Sequence, residues 1–280
     1  MGWGFPFPGD GAYLWRMVVL GALQGLTEFL PVSSSAHLVF AESLLGLPRP
    51  GLLLEAALHL GTVGAVLALY GRDLGTLLRA WGRAPFQVAT NPSGRVVWLL
   101  MCTTAVTGLA GVLFMEPLEA MFASVRWTAF QLVLTGLILW WAPRTGSRAL
   151  HHMTWADAGW VGLAQAVSIV PGISRSGITI VAALWRGIGR EEAARYSFLA
   201  AVPAILGAAG FSLLRDWQSA ASLGYSAVDL LIGFASALGF GVLAIRWLMR
   251  FLQHGRLRAF AWYCWIVGLA ALAYAWRRGL

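Results

Sequence analysis

The sequence predicts an all-α polytopic membrane protein with six transmembrane helices plus two re-entrant helical hairpins, arranged as an inverted-topology repeat. Three observations carry that expectation. Of the 280 residues, 59% are hydrophobic and 11% charged, where a soluble globular domain carries about a quarter charged residues. Apolar stretches long enough to cross a hydrocarbon core of about 30 Å recur from one end to the other. Two further stretches are interrupted by a proline followed by serines and glycines, and the apolar run after each interruption is too short to span.

The uninterrupted spans read as roughly 51 to 70, 95 to 115, 127 to 142, 192 to 214, 226 to 248 and 257 to 276, each long and nearly uncharged. The region 12 to 30 stops at Pro31-Val32-Ser33-Ser34-Ser35 and resumes over 36 to 45. The region 155 to 170 stops at Pro171-Gly172-Ile173-Ser174-Arg175-Ser176-Gly177 and resumes over 177 to 188. Non-helical backbone at membrane depth survives only where protein buries it or where it lines a polar cavity. Both breaks are therefore expected to point into a common cavity.

Arginine clusters set the orientation. Arg72, Arg79, Arg83 and Arg95 lie in one connection, Arg144 and Arg148 follow the third span, and Arg246, Arg250, Arg256 and Arg258 flank another. If those loops are cytoplasmic, the first hairpin enters from outside and the second from the cytoplasm. Residues 1–280 then form a single membrane domain whose halves, about 12–142 and 155–276, are inverted copies. Leu23-Gln24 before Pro31 and Leu163-Ala164-Gln165 before Pro171 repeat the same theme. Paired broken helices near the midplane are also a transporter architecture.

The formal net charge of +8 comes entirely from arginine, since the chain has no lysine. The arginines sit at the ends of apolar runs, where anionic headgroups account for them, so no nucleic acid partner is expected. Cys102 and Cys264 both lie in apolar segments and support no disulfide framework. Met1 to Gly11 has neither the charged start nor the small-residue cleavage pattern of a removable signal.

The polar residues inside the broken segments carry the chemistry. Gln24 and Glu28 are four apart and share a helix face, and a carboxylate at that depth costs about 2.5–3.5 kcal/mol, which marks it as cavity-facing. Ser33, Ser34 and Ser35 fall where a second half-helix begins, so hydroxyls and unpaired backbone amides gather as an anion site, although capping alone would also place serines there. His37 follows within the first turn, available as base or nucleophile. In the second break Arg175 stands between Ser174 and Ser176, with Gly177 letting backbone approach a ligand. Its planar fork of donors suits phosphate oxygens, and pairing with Glu28 is its alternative role. Acid, imidazole, hydroxyls and guanidinium together are what phosphoryl transfer needs. Glu55 and His59, four apart in a span, are weaker candidates for the cavity border, and no His or Cys pair has zinc-ligand spacing.

At these motifs the chain resembles the undecaprenyl pyrophosphate phosphatase family, the bacitracin-resistance type of bacterial membrane enzyme. The resemblance rests on Gln24-Gly25-Leu26-Thr27-Glu28-Phe29-Leu30-Pro31-Val32-Ser33-Ser34, on His37, and on Pro171-Gly172-Ile173-Ser174-Arg175-Ser176-Gly177. It extends to Glu55-Ala56-Ala57-Leu58-His59-Leu60-Gly61 and Tyr196-Ser197-Phe198-Leu199-Ala200-Ala201-Val202-Pro203. It implies an undecaprenyl-diphosphate phosphatase of the inner membrane that returns the monophosphate carrier lipid to peptidoglycan synthesis and confers bacitracin resistance. The implied partners are the polyprenyl diphosphate lipid and the bilayer, with a homodimer as one assembly. The family's acidic, serine, histidine and arginine positions fall on Glu28, Ser34, His37, Ser174 and Arg175, and the family's divalent cation, Mg²⁺ or Ca²⁺, would be held by Glu28 with Gln24. Many members have glutamate in place of Gln24, so one anionic ligand is missing here.

Ser34 or His37 as nucleophile, or a water activated by His37, all fit the motifs. A transporter or lipid flippase is the rival from another class, distinguished by flux of an intact anion or lipid. A membrane acid phosphatase would need a histidine about six residues after Arg175, where Val181 stands.

Overall fold

The computed structural model describes residues 11–45, 52–114, 121, 124–144, 146–215, 225–254 and 257–279. Met1 to Asp10, the larger part of the segment read above as carrying no cleavable signal, lies outside them. Among the described residues the regular elements are ten α-helices and one short 3₁₀ turn. They are α1 (Gly11–Phe29), α2 (Ser34–Leu45), α3 (Leu52–Arg83), α4 (Pro92–Leu113), α5 (Val125–Trp140), α6 (Trp155–Val167), α7 (Arg175–Trp185), α8 (Arg190–Arg215), α9 (Ala227–His254) and α10 (Arg258–Arg278).

Five helices, α3, α4, α8, α9 and α10, contain windows long and apolar enough to cross a membrane. The chain is thus an all-helical, polytopic membrane protein. Helix α5, the third predicted span, has 16 residues, about 24 Å at 1.5 Å per residue. Helices α2, α6 and α7 have 12, 13 and 11 residues, about 17–20 Å by the same rise and well short of the hydrocarbon core. Many large apolar side chains face outward, among them Leu109, Phe114, Leu231, Ile266 and Trp276, as a lipid-facing surface requires.

The buried contacts follow from small residues. Helix α1 packs on α9: a Cβ at Gly21 would lie 2.5 Å from the Gly233 carbonyl oxygen, and one at Gly25 2.5 Å from that of Ala237. Gly21-x-x-x-Gly25 thus faces Gly233-x-x-x-Ala237, the small-residue spacing that lets membrane helices approach backbone to backbone. Alanine at either glycine would push α1 away and move Gln24 and Glu28 with it. Helix α9 also packs on α3, α5 on α10, α6 on α4, and α8 on α3, α4 and α7. Phe29 and Phe198 meet edge to face with centroids 5.4 Å apart, joining the end of α1 to α8. Tyr196, fully buried, satisfies its hydroxyl on Thr103 Oγ1 at 2.7 Å.

At the base of the second hairpin Asp157, also fully buried, closes a capping box with Thr154 and binds Arg148 at 2.7 Å and Arg186 at 2.6 Å. The start of α6 is thereby tied to the end of α7.

Candidate active site

The first break begins where α1 ends at Phe29. Val32 N–H donates to the Leu30 carbonyl at 2.7 Å, and Ser33 takes φ 68°, a left-handed conformation that costs a residue with a side chain on the order of 1 kcal/mol or more. Its surroundings hold it there. Ser33 Oγ accepts from Ala36 N–H at 3.4 Å and lies 3.1 Å from Ser35 Oγ, while its carbonyl accepts from His37 N–H at 3.3 Å. Ser33 thus caps α2 from outside.

The second break uses a glycine for the same purpose. Gly172 has φ 98°, and a Cβ there would fall 2.3 Å from the Thr128 carbonyl oxygen, so only glycine fits. Thr135 Oγ1 on α5 pins the turn, donating to Gly172 O at 2.9 Å and accepting from Ser174 N–H at 3.0 Å. Ser174 Oγ then accepts from Gly177 N–H at 3.1 Å and starts α7.

The two breaks touch. Ser176 Oγ donates to the Leu30 carbonyl at 3.1 Å, and Gly172 N–H donates to Ser35 Oγ at 3.2 Å. The position a Gly177 Cβ would take is 3.3 Å from Pro31 Cβ. The N-termini of α2 and α7 therefore sit side by side, and their positive dipole ends add at one place.

Glu28 is the hub of the side chains gathered there. Its Oε1 pairs with Arg175 Nη2 at 2.8 Å. Its Oε2 accepts from Ser34 Oγ at 2.6 Å and from the Gln24 amide at 3.0 Å. The Arg175 side chain is 15% exposed and that of Glu28 6%, so each charge relies on the other. Removing one partner of such a pair typically costs about 3–5 kcal/mol. Arg175 Nη1 also donates to the Ser197 carbonyl at 3.1 Å, which fixes the fork against α8.

His37 has different neighbours from those its position suggests. Its Nδ1 lies 2.8 Å from the Ser33 carbonyl, which can only accept, so that nitrogen carries the ring hydrogen. Its Nε2 then accepts from the Tyr263 hydroxyl at 2.8 Å, with the two rings stacked at 5.7 Å and 9°. His37 makes no hydrogen bond to Ser34, Glu28 or Arg175, although it stands one turn from Ser34.

The residues singled out at the two breaks thus come together as one cluster: Gln24, Glu28, Ser33, Ser34, Ser35, Ser174, Arg175, Ser176 and Gly177, with His37 on its Tyr263 side. Four contributors were not singled out individually from the sequence. Thr135 and Tyr263 are lone hydroxyl residues in apolar helices and gave no local signal; Ser197, within one of the runs that carry the resemblance, and Thr128 supply backbone oxygens. His59 of α3 does reach the cluster, with Nδ1 3.0 Å from Gln24 Nε2, whereas Glu55 one turn earlier is exposed. An open depression of about 970 Å³, lined by Arg144, Arg148, Arg190 and Glu192 among others, contains none of the cluster residues.

Fold and cluster define a class: a polytopic helical membrane protein that gathers a buried acid with a serine and an arginine where two interrupted helices abut. The chain belongs to the bacitracin resistance protein BacA family, whose model matches residues 17–270. Among its relatives, one from Carboxydothermus hydrogenoformans is 39% identical over 261 residues, covering 92% of this chain and 95% of the relative. Another from Salinibacter ruber is 41% identical over 266 residues, covering 91% and 96%. A third, from Methanobrevibacter smithii, is 40% identical over 266 residues, covering 91% and 95%. Each of the three is named an undecaprenyl-diphosphatase.

Proposed function

We propose that the protein is an undecaprenyl-diphosphate phosphatase of the cell membrane, hydrolysing undecaprenyl diphosphate to undecaprenyl phosphate and inorganic phosphate. This returns the carrier lipid for peptidoglycan synthesis and removes the diphosphate that bacitracin targets. Family membership and the names of the relatives support the reaction. The observation that carries the site assignment is the 2.6 Å bond from Ser34 Oγ to Glu28 Oε2, with Arg175 on the other carboxylate oxygen.

In this reading the lipid tail lies among the spans and the diphosphate enters between the two helix breaks. The N-terminal amides of α2 and α7, the hydroxyls of Ser33, Ser35, Ser174 and Ser176, and the Arg175 fork hold the phosphate oxygens and stabilise the charge that builds in the transition state. Ser34 Oγ attacks the terminal phosphorus as its proton passes to Glu28. The bridging P–O bond breaks and undecaprenyl phosphate leaves. Water then attacks the phosphoserine phosphorus: Glu28 returns its proton to the departing Ser34 oxygen, one water proton stays on the inorganic phosphate released, and the other leaves to solvent. Ser34 is preferred over His37 as nucleophile because its hydroxyl already lies on a base, while both His37 nitrogens are engaged by Ser33 and Tyr263. His37 orders the start of α2 and the Tyr263 side of the site.

A divalent cation, Mg²⁺ or Ca²⁺, fits these residues as part of an open site. Gln24 Oε1 is buried with no hydrogen-bond partner, one turn from the Glu28 carboxylate, and hard oxygen donors of this kind suit both ions. No group of three or more His, Cys, Asp or Glu that could hold a metal gathers among the described residues. Protein would therefore supply Glu28 and Gln24, and phosphate and water the remaining ligands. Bound there, the ion would neutralise diphosphate charge.

We further propose six spans, with α5 as the sixth, and two re-entrant hairpins, α1–α2 and α6–α7, in inverted halves. Helix pairing supports this: α1 packs on α9 as α6 packs on α4, while α5–α10 and α3–α8 pair across the halves. Gln165 repeats Gln24 in having a buried Oε1 without a partner.

The test is phosphate release. Detergent-purified protein given undecaprenyl diphosphate should liberate one phosphate per lipid and leave the monophosphate. Movement of intact diphosphate lipid across vesicles without phosphate release would instead favour a flippase.

A further inference from the structure

We infer that His59 is a positioning residue: it fixes the orientation of the Gln24 amide and so leaves the amide oxygen as a ligand for the divalent cation. This deepens the cation part of the proposed function and rests on it.

Gln24 is fully buried. Its Nε2 lies 3.0 Å from Glu28 Oε2 and 3.0 Å from His59 Nδ1, while its Oε1 is buried without any hydrogen-bond partner. The reverse orientation of the amide would set Oε1 against Glu28 Oε2, which is the oxygen of a carboxylate paired to Arg175. Two acceptors would then face each other in a site without bulk water, each wanting a donor. The amide nitrogen therefore faces Glu28, and its second hydrogen needs an acceptor on the α3 side.

His59 Nδ1 is that acceptor, so its ring hydrogen sits on Nε2. With both amide hydrogens committed, Gln24 offers its surroundings only an oxygen. An oxygen without a donor repels phosphate oxygens and attracts a cation, which fits Gln24 as a neutral ligand beside the one carboxylate. Without the His59 acceptor the bond to Glu28 alone would hold the amide, and its oxygen would lose the second contact that keeps it in one direction. Partners that orient ligands in this way typically alter metal affinity or activity by about 10–100-fold when mutated.

The experiment compares the parent with His59→Phe, which keeps a ring but has no acceptor, and His59→Asn, whose Oδ1 can take the place of Nδ1. Mg²⁺ is titrated in two readouts on the full detergent-purified chain: phosphate release and the Mg²⁺-induced shift of the thermal midpoint. The half-saturating Mg²⁺ of His59→Phe should rise about 10-fold or more in both, and His59→Asn should return close to the parent. His59→Leu replaces His59→Phe if the larger ring prevents folding. Unchanged Mg²⁺ dependence in the acceptor-free variant would overturn the assignment and leave the phosphatase reading intact, as would a His59→Asn variant no better than His59→Phe. If the parent itself shows no Mg²⁺ effect in either readout, the cation part of the proposed function fails and this assignment with it.

Discussion

Ser34 and Glu28 are joined across the first helix break by a 2.6 Å bond from hydroxyl to carboxylate. Ser34 opens α2 and Glu28 occupies the last turn of α1, so the chain reversal at Pro31 brings a hydroxyl onto a carboxylate, the pair proposed above as nucleophile and base. Ser34→Ala is expected to lower phosphate release by at least about 10²-fold with little change in thermal midpoint, because it deletes one hydroxyl without stranding a charge. A rapid-quench experiment with the parent and diphosphate lipid should trap phosphate on Ser34, detectable by peptide mass spectrometry. Parental turnover in folded Ser34→Ala would remove the serine from the chemistry.

Tyr263→Phe separates His37 from the attacking group. The variant keeps the ring stack and loses the bond to His37 Nε2, leaving that buried acceptor unpaired at a cost of about 1–3 kcal/mol. Turnover should fall less than about 10-fold, far short of the Ser34→Ala effect. Loss equal to that of Ser34→Ala would make the Tyr263–His37 pair part of the proton path.

Arg175→Lys tests the fork. Nη1 holds Ser197 O and Nη2 holds Glu28, and a lysine ammonium cannot make both contacts in the plane of a phosphate. The KM for diphosphate lipid should rise and kcat should fall, with a smaller drop in thermal midpoint than in Arg175→Ala, which leaves Glu28 buried and unpaired.

Gly172→Ala should destabilise the second break by on the order of 1–3 kcal/mol from its φ alone, with the Thr128 carbonyl contact adding to that. Thermal unfolding in detergent reads this directly. Gly207→Ala, in α8 where a new Cβ meets nothing within 4 Å, should leave the midpoint unchanged or raised.

Much of the centre was legible in the sequence because its signals are local. Pro31 and Pro171 break helices by removing a donor, the four-residue spacing of Gln24 and Glu28 sets them on one face, and serines after a break cap the next helix. What the sequence left unread depends on helices far apart in the chain. Tyr263 stands 226 positions from His37 in an apolar helix where a tyrosine looks like any interfacial aromatic. Thr135 bonds both Gly172 and Ser174 from α5, yet a single threonine in a span more often bonds its own helix, as Thr104 and Thr107 do here. Glu55 and His59 looked equivalent, and only the packing of α3 on α1 distinguishes the histidine at Gln24 from the exposed glutamate. The pairing of Glu28 with Arg175, set out as the arginine's alternative role, coexists with its placement at the helix N-termini.

The most direct measurement compares phosphate release from undecaprenyl diphosphate by the parent and by Glu28→Gln. The glutamine keeps the size of the side chain and its one oxygen can accept from Arg175, but an amide nitrogen then stands where Oε2 faced Ser34 and cannot take a proton from the hydroxyl. A folded Glu28→Gln protein with turnover reduced by about 10²–10⁴-fold is the predicted result. Parental turnover in that folded variant would contradict the assignment of the two helix breaks as a phosphoryl-transfer site.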